Sequence, residues 1–157
     1  MQLDEYQVYI KSKCGQTVFK IEEADMFYSG LMQTMFLDKE VVSAEDAPFV
    51  FSEISDENLH TIVRYIKRCV SSKKELPAPS KPLSRNTLPD ILGDDYVVFK
   101  PIMESKKPDA EKFKALVQLM MDVTYLDMPI LREKACAAIA STLVGKSMEA
   151  VRMMVTD

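Results

Sequence analysis

The chain opens on a two-residue alternation of apolar and polar positions and later shifts to a longer period. Tyr6 to Lys11 alternates through β-prone residues, and Thr17 to Ile21 repeats the pattern with Phe19 and Ile21 on one face and Val18 and Lys20 on the other. Gly15, within SKCGQ, supplies the turn between them, so the two segments predict a β-hairpin. Ser29 is then placed as an N-cap before Met32, Met35 and Phe36, which follow at helical spacing. Pro48 to Phe51 predicts a brief third strand whose proline marks its start. The clearest helix follows: Ser55 and Asp56 can cap it, and Leu59, Ile62, Val63, Ile66 and Val70 fall at i, i+3, i+4, i+7 and i+11.

Between Ser71 and Pro108 the pattern breaks. Six of the eight prolines lie here (Pro77, Pro79, Pro82, Pro89, Pro101 and Pro108), which predicts a long, partly mobile connection of extended character, with DDYVVFK as another short strand. Helical spacing returns after Pro108, with Asp109 as cap and Glu111 near the positive helix end. Phe113, Leu116, Val117 and Met120 form one stripe, expected in the core, and Leu119, Val123 and Leu126 form a second. Pro129 restarts a helix carrying Leu131, Ala135, Ala138, Ile139 and Leu143, and Gly145 can end it in a left-handed cap. Ser147 caps a last segment with Met148, Val151 and Met154. The predicted order is ββαβα, a connection, then helices, an α+β chain with a helix-rich C-terminal part.

Composition narrows the function. A chain of 157 residues is one domain, or a small domain with a helical extension. Its net charge of −4 is spread along the sequence, and basic pairs such as Lys67-Arg68 and Lys73-Lys74 are short, so no nucleic-acid partner is expected. Cys14, Cys69 and Cys136 are odd in number and widely separated, which points to a reducing compartment, cytosol or nucleus, with Cys69 and Cys136 as small core residues. The first residues carry no apolar signal core, and no apolar run approaches the roughly 18 residues of a membrane span, so no membrane partner is expected.

No phosphate-binding glycine loop, dinucleotide fingerprint or G-x-S-x-G motif occurs. His60 lies off the apolar stripe of its helix and, as the one histidine of the chain, reads as a surface residue rather than a metal ligand. The adjacent pairs Glu22-Glu23 and Asp94-Asp95 read as solvated charge rather than as an acid and base sharing a substrate. Neither enzymatic activity nor a cofactor or metal is expected.

A family resemblance supplies the functional expectation. VYIKSKCGQTVFKIE, SGLMQTMFLD, FVFSEISDENLHTIVRYIKRC and above all TYLDMPILREKACAAIASTLVGKSMEAVR are similar to the S-phase kinase-associated adaptors of SCF ubiquitin ligases, members of the BTB/POZ fold superfamily that includes elongin C. The resemblance covers nearly the whole chain; YLD followed at the right distance by GKSMEAVR is its most specific part. It implies a small three-stranded sheet flanked by helices, with additional C-terminal helices: a BTB/POZ core over 1–127, including the 71–108 connection, and partner-binding helices over 128–157. The implied function is that of an adaptor bridging a cullin scaffold and F-box substrate receptors. The cullin-facing positions would include Met32, Met35, Phe36, Thr124 and Tyr125. The F-box face would draw on Leu131, Ile139, Leu143, Val144, Met148, Val151 and Met154. Asp122, Val123 and Thr124 depart from the family's Ala-Ala-Asn, and Met148 to Val151 from its Pro-Glu-Glu-Ile. The alternative is a non-ligase member that acts as a scaffold, with homodimerisation through the BTB fold.

One physical expectation accompanies the resemblance. Closing helices that lean on a single face should leave about half their apolar area uncovered, and exposed patches of several hundred Å² usually mark interfaces. A specific partner would then cover roughly 600–800 Å² on each side. Methionines at 148, 153 and 154 suit a surface that repacks against varied partners.

Overall fold

Alternation builds the sheet. Strand β1 (Gln7–Ser12) buries Val8, Ile10 and Ser12 and turns Gln7 outward. It pairs antiparallel with β2 (Phe19–Glu22), and the register Val8↔Ile21 and Ile10↔Phe19 puts the apolar side chains of both strands on one face. Strand β3 (Phe49–Phe51) lies parallel to β1 on its other side, giving the order β2-β1-β3. A parallel pair needs a crossover. Here helix α1 (Glu23–Met26) and helix α2 (Gly30–Met32), which continues as a π-helical turn over Gln33–Leu37, lie between the strands. The hairpin, the third strand and the α+β class are as expected. The computed structural model describes residues 6–37, 43–77 and 88–155.

The residues group into two compact units, Met1–Glu75 with Tyr125–Met128, and Leu76–Thr124 with Pro129–Asp157. In the first unit, helix α3 (Asp56–Ser72) is the main apolar partner of the sheet. Its N-cap is Ser55, whose hydroxyl accepts from the Asn58 N–H at 3.2 Å. Leu59, Ile62, Val63 and Ile66 are buried as the spacing requires, joined by Tyr65 and Cys69, while Val70 is only half-buried. The helix stops at Lys73, which takes the left-handed conformation (φ 60°), and the Lys74 N–H returns to the Cys69 carbonyl. Phe36 closes the other end of this core, edge-on to Phe49 and Phe51 at 5.6 and 6.5 Å.

The second unit corrects the reading of 71–108. α3 itself extends to Ser72, and helix α4 (Leu88–Leu92), a 3-10 turn (Gly93–Asp95) and helix α5 (Tyr96–Met103) occupy most of the described residues 88–108. DDYVVFK is therefore helical, not a strand. The buried residues from α4 to α5, Leu88, Leu92, Asp95, Val98 and Phe99, recur at helical spacing, a period masked in the sequence by β-branched Val97-Val98 and by Pro89 and Pro101. Pro101 withholds an N–H from the Val97 carbonyl, and α5 ends two residues later. The mobility expected within this stretch falls, for residues 78–87, outside the described residues, as do Pro79 and Pro82.

Helix α6 (Asp109–Tyr125) brings two further corrections. The Pro108 carbonyl accepts the Glu111 and Lys112 N–H groups, so Asp109 is the first helical residue rather than the cap. The buried line runs through Leu116, Leu119 and Val123, with Leu126 beyond the helix end, whereas Phe113, Val117 and Met120 of the expected core stripe are half-buried. Helix α7 (Pro129–Leu143) starts on its proline, and Gly145 follows it with φ 78°. Ser147 opens helix α8 (Met148–Val155), its hydroxyl accepting from the Ala150 N–H at 3.1 Å.

Candidate functional site

Two groups of residues carry functional expectations, and their placement begins with the segment YLD. In the first unit Leu126 is fully buried, and its carbonyl accepts from the Ser29 hydroxyl at 2.6 Å and from the Leu31 N–H at 3.1 Å. The Asp127 carbonyl accepts from the Gly30 N–H at 2.9 Å. Ser29 thus serves as N-cap of α2 and as a tie to Leu126. Asp127 is held in the left-handed region (φ 56°), and a Cβ on Gly30 would stand 1.9 Å from Asp127 Oδ2. Leu126 and Asp127 therefore form a structural latch on Ser29 and Gly30, and a side chain at Gly30 would require the Asp127 carboxylate to move.

Around this latch the positions expected to face cullin separate by exposure. Tyr125 is 49% exposed, Thr124 is exposed, Met35 is half-buried, and Met32 and Phe36 are completely buried. Met32 and Phe36 hold the core; a partner could touch only Met35, Thr124 and Tyr125 of this set. The Thr124 hydroxyl donates to the Met120 carbonyl one turn earlier. Phe27, at 60% exposure, is a large exposed apolar side chain of the first unit that the spacing did not single out.

The closing helices show the same division. Met148 is 74% exposed and Val144 56%, whereas Ile139, Leu143 and Val151 are half-buried. Leu131 and Met154 are buried by the chain's own atoms and offer a partner nothing. Met153 and Val155 join the exposed set at 74% and 56%. Val155 lies seven residues after Met148, two turns on and on the same face, so that spacing could have found it. Met154, next to it, is buried. The uncovered side chains of this region are therefore Val144, Met148, Met153 and Val155, fewer than the full apolar content of 131–154; Met148 and Val155 share a face of α8, and Met153 lies on another.

Charged groups are more deeply placed than expected. Asp95, read as solvated, is buried and accepts from Lys134 Nζ at 2.6 Å; Lys134 is itself buried and also donates to the Leu76 carbonyl at 2.6 Å. Asp25 is buried too, paired with Lys67 and accepting from the Glu22 N–H at 2.8 Å. Neither pair was legible, because both join residues far apart in sequence.

Ser12, Asp56 and His60 lie close together, and their order decides what they can do. Asp56 Oδ1 accepts from the Ser12 hydroxyl at 2.8 Å, and Asp56 Oδ2 lies 3.3 Å from His60 Nε2. The carboxylate stands in the middle, where nucleophilic catalysis needs the imidazole next to the hydroxyl. The group ties β1 to the first turn of α3, while the His60 ring rests edge-on against Phe19 at 4.8 Å. Burial pushes the Cys136 thiol above its ordinary pKa, and its Sγ approaches Met120 Sδ at 3.5 Å, a packed thiol rather than an activated one. Among the described residues no three His, Cys, Asp or Glu side chains are grouped to hold a metal ion, and no helix is long and apolar enough to cross a membrane. No protein-family model matches the chain, and no curated protein matches it significantly.

Proposed function

We propose that the protein is an adaptor of an SCF-type cullin–RING ubiquitin ligase in cytosol or nucleus, a member of the BTB/POZ superfamily whose closing helices hold F-box substrate receptors. In this reading 1–127 is the BTB/POZ core and 128–157 the receptor-binding part. The observation that carries it is the exposed apolar pair Met148 and Val155 on one face of α8, with Val144 exposed just before that helix. Apolar surface concentrated in this way favours a macromolecular partner over open solvent, and exposed methionines adapt to receptors of differing shape. The small mixed sheet backed by α3, and the YLD latch, fit the resemblance on which the reading rests. The adaptor performs no chemistry; it raises the rate of ubiquitin transfer by holding ligase and substrate together. Met35, Thr124 and Tyr125 form the part of the cullin-facing set that a scaffold can reach.

The test is capture of purified F-box domains by the full chain carrying Val144→Asp and Met148→Asp. Both side chains are exposed, so the fold is retained, and capture falls by at least an order of magnitude, as charge placed in the centre of a desolvated interface requires. Undiminished capture overturns the proposal.

A second reading, a scaffold that self-associates through the core, is favoured by the edge strand β3. It is one of the two outer strands of the sheet, and its Val50 is 41% exposed. Sedimentation at micromolar concentration separates the two: a monomer that binds cullin supports the adaptor, and a tight homodimer indifferent to cullin supports the scaffold.

A further inference from the structure

We propose that Lys134 is a register pin: its buried ammonium selects which turn of α7 faces the interior of the second unit. The inward line of that helix is Leu131, Lys134, Ala135, Ala138 and Thr142, at i, i+3, i+4, i+7 and i+11. Ala135, Ala138 and Thr142 present similar small shapes on successive turns. Sliding α7 by one turn, about 5.4 Å, would exchange one small contact for another along Ala135, Ala138 and Thr142, and among the buried apolar side chains only Leu131 is large enough to resist it. Over the rest of the helix shape discriminates poorly between neighbouring registers.

Lys134 removes that degeneracy. Its Nζ donates to Asp95 Oδ2 and to the Leu76 carbonyl, each at 2.6 Å, and the two acceptors lie 39 and 58 residues away along the chain. The lysine side chain is 1% exposed and that of Asp95 7%. A one-turn slide would carry Nζ beyond reach of both acceptors and leave an ammonium and a carboxylate buried apart, which is strongly unfavourable. The pair therefore penalises the wrong arrangements more than it stabilises the right one, since a buried ion pair replaced by apolar residues of similar volume often costs nothing. A single polar residue in an apolar seam sets register in the same way in coiled coils. α7 also carries the half-buried Ile139 and Leu143 and leads directly into exposed Val144, so its register decides which side chains are presented, whatever molecule covers them.

The experiment compares the full chain with the double variant Lys134→Met/Asp95→Leu, which removes both charges and keeps the volume. Expected are an unchanged or raised thermal midpoint, multiple amide resonances for residues of α7, and hydrogen-exchange protection there reduced about tenfold. Single α7 resonances with parental protection overturn the proposal. So does a double variant that unfolds, because the pair would then supply stability rather than selection. The single variant Lys134→Met strands Asp95 and is expected to lower the midpoint; a single variant as stable as the double one also overturns it.

Discussion

Each compact unit sets a lysine against a buried aspartate, and the two lysines end in different surroundings. In the first unit the Asp25 side chain is 2% exposed while that of Lys67 is 42% exposed on the flank of α3. In the second, Lys134 and Asp95 are 1% and 7% exposed. Lys67 keeps much of its side chain in water; Lys134 gives up hydration and is held by acceptors that include Asp95 and the Leu76 carbonyl. The first arrangement is tolerant and the second is exacting. The cores follow the same division. α3 turns a continuous aliphatic line onto the sheet, whereas α7 turns inward two alanines, a threonine and a lysine beside its one leucine. Where side-chain shape specifies the packing, the lysine of the pair stays near the surface; where the shapes are small and repetitive, both partners are buried and the pair does the selecting.

The widest gap between the units should appear on removing each lysine. Lys134→Met is expected to cost about 3–5 kcal/mol, because it strands a buried carboxylate, while Lys67→Met costs about 1 kcal/mol, since Asp25 keeps its backbone donor. Urea denaturation of both variants measures the difference, and equal losses would break the comparison. Next in size is Gly15→Ala in the first unit. A Cβ there would lie 2.0 Å from Asp56 Oδ1 and 2.4 Å from Ser12 Oγ, so the tie between β1 and α3 must shift. About 1–3 kcal/mol is expected from such overpacking, and parental stability would show that the tie yields freely.

Lys73→Gly should act in the opposite direction, stabilising by about 0.5–1 kcal/mol, because a non-glycine residue in the left-handed conformation is strained at that helix end. A lowered thermal midpoint would contradict it. The smallest effect belongs to the exposed pair Lys146–Asp109. The hydrogen bond and charge of Lys146 hold the Asp109 carboxyl below its ordinary pKa. A depressed folded-state pKa gives stability that is complete above the unfolded-state value and disappears as pH falls through the folded one. Lys146→Ala should therefore cost roughly 0.2–1 kcal/mol at neutral pH, with the difference from the parent vanishing in acid. Urea midpoints across a pH series measure it; a difference that persists in acid would assign the effect to packing.

Much of the first unit was legible because its elements repeat with clean periods. Val8, Ile10 and Ile21 alternate, and Leu59, Ile62, Val63 and Ile66 recur as a helix must, so both periods point inward unambiguously. The caps at Ser29, Ser55 and Ser147 were readable because each depends on a hydroxyl reaching an N–H three residues away. The second unit resisted. Proline content disguised α4 and α5, and Lys134 and Thr142 on the buried side of α7 blurred its inward line, drawing attention to Ile139 and Leu143 instead. Among the candidate surface residues, spacing grouped Met148 and Val151 but gave no sign that Met154 would be covered and Met153 left bare.

Local chemistry is enough for what lies within a few residues: turns, caps, strand alternation and the rotation of a regular helix all follow from contacts between near neighbours in the chain. Which face of each helix is covered, that Asp95 meets Lys134, and that Leu126 and Asp127 close over Ser29 and Gly30 depend on segments separated by tens of residues. Those pairings arise only when the chain packs, because burial and desolvation belong to the assembled interior rather than to any stretch of the polypeptide.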